Sequence, residues 1–320
     1  MPSKDKPRVI AIEEHYLDTA VTDHYTNPRP RPPGFVERTS SFAGERIREM
    51  DEAGIDVQVL SHAPPGVHTL DTESAVKAAR ATNDNLAAAI RDNPSRFAGF
   101  ASLPMQDPRA AADELERAVD RLGFKGALIS AMTNDRFSDG KECWPVYERA
   151  EALDVPVYIH PSPPHHAVRE AYFRDYQDEF PLFPQAAWGY TIETATAAIR
   201  LVLSRVFEKH PGLKVIVGHL GETIPFFLWR IDHNFKRAGN APLEFRDVFC
   251  NNFYITTSGN FSDPALLCCV MELGIDRILF AIDWPFIENK PGVDWMRRVP
   301  LCDEDRIKIL SGNAERLLGM

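Results

Sequence analysis

Residues 214–236, KVIVGHLGETIPFFLWRIDHNFK, decide the fold. An apolar run from Lys214 ends in His219, and the pattern turns helical from Glu222 to Lys236. The run is continuous rather than alternating, as in a parallel strand covered on both faces. The same strand-then-helix unit recurs along the chain. Its other apolar runs are Val9–Glu13, Val57–Ser61, Phe97–Leu103, Gly126–Ser130, Val157–His160, Phe253–Ser258 and Ile278–Asp283. Amphipathic stretches separate them: Glu45–Ala53, Thr72–Asn93, Pro108–Leu122, Trp144–Leu153, Ile192–Lys209, Asp263–Leu273 and Asp303–Leu318. Asp71 and Asp107-Pro108 read as helix starts. Gly123, Gly212 and Gly274 follow helix ends, where a left-handed residue is wanted.

Eight such units predict an α/β chain folded as a (β/α)8 TIM barrel, one domain over residues 1–320. An open doubly wound sheet has the same element count, but no Gly-x-Gly-x-x-Gly or Walker motif follows the first strand to support it. Long loops follow strands 1 and 5. One holds the Pro-rich stretch Asn27–Phe35, which cannot be regular helix. The other runs from His160 to Gly189, and includes His165 and His166 in what reads as a solvated loop. Both loops belong to the C-terminal rim, where barrel active sites are built.

Composition narrows the function. The 36 Lys and Arg against 46 Asp and Glu give a net charge of −10. An acidic chain without a basic block is a poor partner for nucleic acid. No apolar run approaches a membrane span, and Met1–Arg8 lacks the apolar core of a signal peptide. The five cysteines (Cys143, Cys250, Cys268, Cys269 and Cys302) are odd in number, and none pairs at C-x2-C spacing. They read as thiols in a reducing, cytoplasmic compartment.

The polar residues at the strand ends carry the chemistry. The first strand ends Glu13-Glu14-His15, and simple alternation puts Glu13 and His15 on one face. The fifth ends in His160, the sixth in His219 followed by Glu222, and the eighth in Asp283. One histidine at a strand end means little. Four polar strand ends on one rim suit a divalent metal held by imidazole and carboxylate. Glu13, His15, His160 and Asp283 are the candidate ligands. His219 is placed as an acid or base oriented by Glu222.

These residues, with AIEEH (11–15), FAGFASLPMQDP (97–108), LGFKGALIS (122–130), VYIHP (157–161), VGHLGE (217–222), LWRIDH (228–233), YITTSGNF (254–261) and ILFAIDWPF (278–286), resemble the amidohydrolase superfamily. The branch is that of aminocarboxymuconate semialdehyde decarboxylase, and the resemblance is closest to the γ-resorcylate and 2,3-dihydroxybenzoate decarboxylases. It implies one metal, Mn2+ or Zn2+, on Glu13, His15, His160 and Asp283. A carbamylated lysine bridge is missing, because Ser130 and Ala131 stand where binuclear relatives carry it. The resemblance further implies that His219, Glu222 and Arg230 contact or orient the substrate, and that Phe286 lines its ring pocket. His62 ends the second strand where such decarboxylases carry a small polar residue, so it is either a substrate contact or a structural histidine. The implied reaction is reversible, non-oxidative decarboxylation of an ortho-hydroxy aromatic acid to a phenol and CO2. Asp283 would carry the proton to the ring. A hydrolase acting on a lactone or amide would use the same ligands. The implied partners are a small aromatic carboxylate and further copies of the chain, as a homodimer or homotetramer.

Overall fold

The structure is a computed structural model that describes residues 7–25 and 33–320. Eleven strands are present: β1 (Ile10–Tyr16), β2 (Val57–His62), β3 (Phe97–Gly99), β4 (Ala101–Ser102), β5 (Ala127–Ser130), β6 (Met132–Thr133), β7 (Arg136–Phe137), β8 (Val157–His160), β9 (Val215–Val217), β10 (Phe253–Thr256) and β11 (Ile278–Leu279). Every long-range pairing is parallel, in the orders β1-β2-β3 and β11-β10-β9-β8-β5-β4. Only Phe100 separates β3 from β4, so the two orders form one path. At its other end, Ile12 N–H donates to Phe280 O (3.1 Å) and His15 N–H to Trp284 O (2.8 Å). The hairpin β6–β7 is the one antiparallel pair among the described residues. It was not legible in the apolar runs, because it is short and part-exposed.

Both faces of the strands are buried, which is why their sequences run apolar without alternation. Residues two apart share a face. Ile10, Ile12, Val57, Val59, Leu128, Tyr158, Ile216 and Leu279 pack together inside, floored by Leu317 and Leu318. Val9, Ala11, Leu60, Ile129, Val217 and Ile255 point outward against the helices. The polar strand ends lie beyond this packed interior.

The helices Glu45–Ala53, Pro108–Leu122 and Asp263–Leu273 have the expected bounds. Asp71 and Asp107 cap their helices through side-chain acceptors, and Gly123 (φ 77°) ends one in the left-handed region. Three expectations need correction. The stretch Ile192–Lys209 divides into Gly189–Leu203 and Val206–Lys209, because Arg205 sits at φ 67°. The helix expected from Glu222 starts at Ile224, because Glu222 and Thr223 are left-handed. Gly212 is not left-handed; its N–H instead donates to Glu151 Oε1 at 2.6 Å. The Pro-rich expectation over 27–35 lies mostly outside the described residues, which resume just before a short helix, Phe35–Ser40. After β8, residues 161–188 form turns and the helix His166–Tyr172. All five cysteines are free thiols. No helix among the described residues is long and apolar enough to cross a membrane.

Candidate metal centre

The strand ends converge through strained backbone. The β1–β2 register slips between Ile12 and Glu14, leaving Glu13 as a bulged residue at φ 73°. Alternation alone is therefore not what brings Glu13 and His15 together; the bulge re-aims the first carboxylate. Asp283 sits at φ 75°, and His219, Leu220, Glu222 and Thr223 all have positive φ. Non-glycine residues held there cost roughly 1–3 kcal/mol each and gather where function needs a special geometry.

Ligand-type atoms of Glu13, His15, His160 and Asp283 lie within 4.8 Å of one another. His15 Nε2 is 3.1 Å from Asp283 Oδ1, and His160 Nε2 is 3.6 Å from Glu13 Oε1. Each donor is held from behind. His160 Nδ1–H donates to Pro161 O at 2.9 Å, which leaves the Nε2 lone pair facing the centre. Ser61 Oγ lies 3.3 Å from His15 Nδ1. Glu13 Oε2 accepts from the Tyr158 hydroxyl and, at 3.3 Å, from Thr256 Oγ1. Glu13 Oε1, by contrast, is buried without a hydrogen-bond partner. A side chain at Gly218 would put its Cβ 3.2 Å from that oxygen and 3.1 Å from Tyr158 Oη, so glycine keeps the space open.

An orphaned buried carboxylate oxygen is costly unless a cation meets it. Two imidazoles and two carboxylates around it are a donor set for Mn2+, Fe2+ or Zn2+, and the residues fit such an ion. The electrostatics agree. Burial pushes the Glu13 carboxyl up, while the charge of His219 and the Tyr158 hydrogen bond pull it back. Burial drives His160 down to about 3, which keeps its imidazole neutral.

A second histidine–carboxylate pair adjoins the centre. His219 Nδ1 is 2.7 Å from Glu222 Oε1, and its Nε2 is 3.8 Å from Asp283 Oδ2. Burial disfavours the imidazolium, but the Glu222 charge and the bonds to Asp283 and Glu222 prevail and hold His219 well above its ordinary value. Asp283 is the mirror case. Burial pushes it up, yet the hydrogen bond from His15 and the charge of His219 hold it at about 2. The resting pair is thus imidazolium beside carboxylate. Ser258 Oγ also accepts from His219 N–H at 3.0 Å.

Phe286 stands beside the centre, its ring 5.6 Å from His15 and 5.2 Å from Phe35. His62 is buried with both nitrogens used: Nε2 accepts from Asp18 N–H at 3.2 Å and Nδ1–H donates to Ala63 O at 2.8 Å. Arg230 is not brought to the cluster. It is exposed on the helix Ile224–Phe235, in a groove of about 410 Å³ with Ile199, Phe227 and Phe235. His165 and His166 are also elsewhere; His166 Nδ1 meets the exposed Asp135 Oδ2 at 3.0 Å.

Two supporting residues went unread in the sequence. Tyr158 was findable, because it lies two before His160 on the same strand face. Glu14 gave no such signal; it reads as the off-face half of a Glu-Glu pair. It is fully buried, and accepts from Ile282 N–H and Trp284 N–H.

Comparison with known proteins places this geometry. A family model described as Amidohydrolase matches residues 18–320. The γ-resorcylate decarboxylase of Polaromonas sp. (strain JS666 / ATCC BAA-500) is 40% identical over 322 residues, covering 96% of this chain and 97% of the relative. A crystal structure of a dihydroxybenzoic acid decarboxylase from Polaromonas sp. JS666, with bound manganese and the inhibitor 2-nitroresorcinol, matches with a TM-score of 0.90 and 39% identity, over 98% of this chain and 97% of that one. A 2,6-dihydroxybenzoate decarboxylase complexed with 2,6-dihydroxybenzoate matches with a TM-score of 0.90 and 36% identity, over 98% and 100% of the two chains.

Proposed function

The chain belongs to the amidohydrolase family, and from that premise we propose that it is a metal-dependent, non-oxidative decarboxylase. Its substrate is an ortho-hydroxy aromatic carboxylic acid of the 2,6-dihydroxybenzoate kind, and its products are a phenol and CO2. The observation that carries this is one constellation: a four-residue donor set with an orphaned Glu13 oxygen, next to a His219–Glu222 pair that keeps a proton beside Asp283. The relatives with these names are similar over nearly the whole chain. The strand order, with its Ile12–Phe280 and His15–Trp284 links, supports reading residues 1–320 as a single (β/α)8 barrel with its site on the rim. The long segments after β1 and β8 then become rim loops.

Glu13, His15, His160 and Asp283 hold the metal, with Mn2+ favoured by the manganese-bound relative. When bound, the ion supplies positive charge that holds substrate oxygens and stabilises the negative charge that develops. The chain's own residues manage the proton. Asp283, an anion at rest, is the group nearest to both the ligands and His219. His219 passes its proton by way of Asp283 to the ring carbon bearing the carboxylate. That carbon becomes tetrahedral and the ring loses its aromaticity. The bond to the carboxylate carbon then breaks, its electron pair returns to the ring, and CO2 leaves. His219 then takes a proton from water, and Glu222 stabilises the imidazolium that forms for the next turnover. Phe286 offers the ring an apolar edge. His62, closed off by the backbone, shapes the wall of the pocket through its bulk. Arg230 lies beside the exposed Phe226, Phe227 and Trp229, a surface that suits contact between copies in a homodimer or homotetramer. Five free thiols suit a cytoplasmic enzyme.

The test is product analysis with metal-loaded protein on a panel of ortho-hydroxybenzoates. Matching phenol and CO2 are expected, fastest with a hydroxyl on each side of the carboxylate. No phenol from metal-replete protein, together with hydrolysis of a lactone or amide, would overturn the reading in favour of a hydrolase.

A further inference from the structure

Glu14 lies outside the donor set, yet it is bound more closely to Asp283 than sequence spacing suggests. Its Oε1 accepts from Ile282 N–H at 2.9 Å and its Oε2 from Trp284 N–H at 3.1 Å. These are the two amides that flank Asp283. The neighbouring His15 N–H donates to Trp284 O at 2.8 Å. Residues 14 and 15 therefore grip the chain on both sides of a left-handed aspartate. Trp284 is fixed from the far side as well. Its indole N–H donates to Glu49 Oε2 at 2.6 Å, and the Arg46 guanidinium stacks 3.9 Å from its ring centre. Arg46 is itself buried, donates to His15 O, and reaches Gln58 Oε1 at 3.1 Å.

A buried carboxylate beside a site of like charge needs a reason. Two amide N–H bonds to the two oxygens of one buried side chain fix its position on both sides of Asp283. They hold the aspartate in the left-handed region, which a non-glycine residue keeps only when its surroundings over-determine it. We propose that Glu14 is a positioning residue: its carboxylate fixes the backbone rotation at Asp283, so that one oxygen aims at the ligands and the other at His219. The proposal rests on the function inferred above. Without the grip, Asp283 relaxes out of the left-handed region and its two oxygens lose their separate aims.

The experiment uses the full-length, Mn2+-loaded protein. E14Q keeps the size of the side chain but turns one acceptor into a donor that faces an N–H. Supporting partners of metal ligands are typically worth about 10–100-fold in activity or metal affinity. The expected result is a fall in kcat of that order on 2,6-dihydroxybenzoate, with KM within about threefold. The thermal midpoint stays close to wild type, and the Mn2+ electron paramagnetic resonance spectrum is altered. E14D, which keeps the carboxyl group but retracts it by one methylene, recovers part of both. Unchanged kcat and an unchanged spectrum in E14Q would overturn the proposal. So would activity that falls only in step with the unfolded fraction, or failure of both variants to fold, either of which makes Glu14 purely structural. If wild type itself makes no phenol, the inferred function fails while the Mn2+ spectra of wild type and E14Q still decide the role of Glu14.

Discussion

Two groups of histidines stand on the same rim. His15, His160 and His219 face carboxylates, whereas His62 and His68 face the backbone and a hydroxyl. His68 Nε2 accepts from Ser130 N–H at 3.2 Å, and its Nδ1 lies 3.2 Å from Thr133 Oγ1. His62 is closed in the same way, by Asp18 N–H and Ala63 O. His160 Nε2, by contrast, faces the orphaned Glu13 oxygen at 3.6 Å. Burial drives His62 and His68 down to about 4. The same burial is overcome at His219 by Glu222 and Asp283. Residue type and strand-end position are thus shared, while the partner decides the chemistry. A histidine closed by backbone and hydroxyl partners is a wall; one that faces carboxylates has the surroundings that the proposed ligand and proton-carrying roles need.

The sharpest way to break that contrast is Asp283→Asn, which removes the charge that His15 and His219 share. A lost proton carrier typically costs about 10²–10⁴-fold, and the proposed function makes this residue a ligand as well. Turnover is expected to fall by at least about 10³-fold, with the circular dichroism spectrum unchanged. Normal turnover would remove Asp283 from the mechanism.

The next contrast sets His219→Asn against His62→Asn. The first is expected to lose about 10²–10³-fold in kcat and keep its metal, as measured by elemental analysis. The second is expected to stay within a few-fold of wild-type kcat but to lose about 1–3 kcal/mol of stability, because a buried amide loses its acceptor. Metal lost along with activity in the His219 variant would make that residue a ligand. A His62 variant as stable as wild type but inactive would return that imidazole to the substrate.

The sequence allowed much of this to be read, for a physical reason. Strands covered on both faces must be continuously apolar, so the run Val157–His160 matches β8 end to end. Charges that end such runs stand out, and Glu13, His15, His160, His219 and Asp283 were found that way. Backbone hand is harder to read. Nothing in Ile12-Glu13-Glu14 marks a bulge, since either glutamate could occupy the left-handed position. The helix after His219 begins late because Glu222 and Thr223 are left-handed, which the helical pattern of their side chains does not reveal. Arg230 followed a shared motif rather than geometry, and its helix turns it outward. The sealing of His62 depends on Asp18, which lies 44 residues away. A hydrogen bond over that distance leaves no local trace.

Stability against pH tests the buried histidines, best on metal-free protein. Free imidazole titrates at 6.5, whereas folded His62 and His68 take up a proton only near 4. Between these values the unfolded chain binds protons that the folded chain refuses, so stability falls as pH drops from 6.5 towards 4. Glu14 works in the opposite sense. Burial raises it from 4.5 to about 8 despite its amide bonds, so its contribution grows as pH falls through 8 and levels off below 4.5. Over 6.5 to 4.5, the three depressed imidazoles of His62, His68 and His160 oppose the two raised carboxyls of Glu13 and Glu14, each worth about 1.4 kcal/mol per pH unit at most. A net loss on the order of 1–3 kcal/mol is expected, read from urea midpoints. His68→Asn removes one imidazole, so it should flatten the slope to near zero in this window and leave a fall only below 4.5. A His68→Asn slope equal to that of wild type would mean that His68 is protonated while folded, and that its bonds to Ser130 and Thr133 do not close it as the contrast requires.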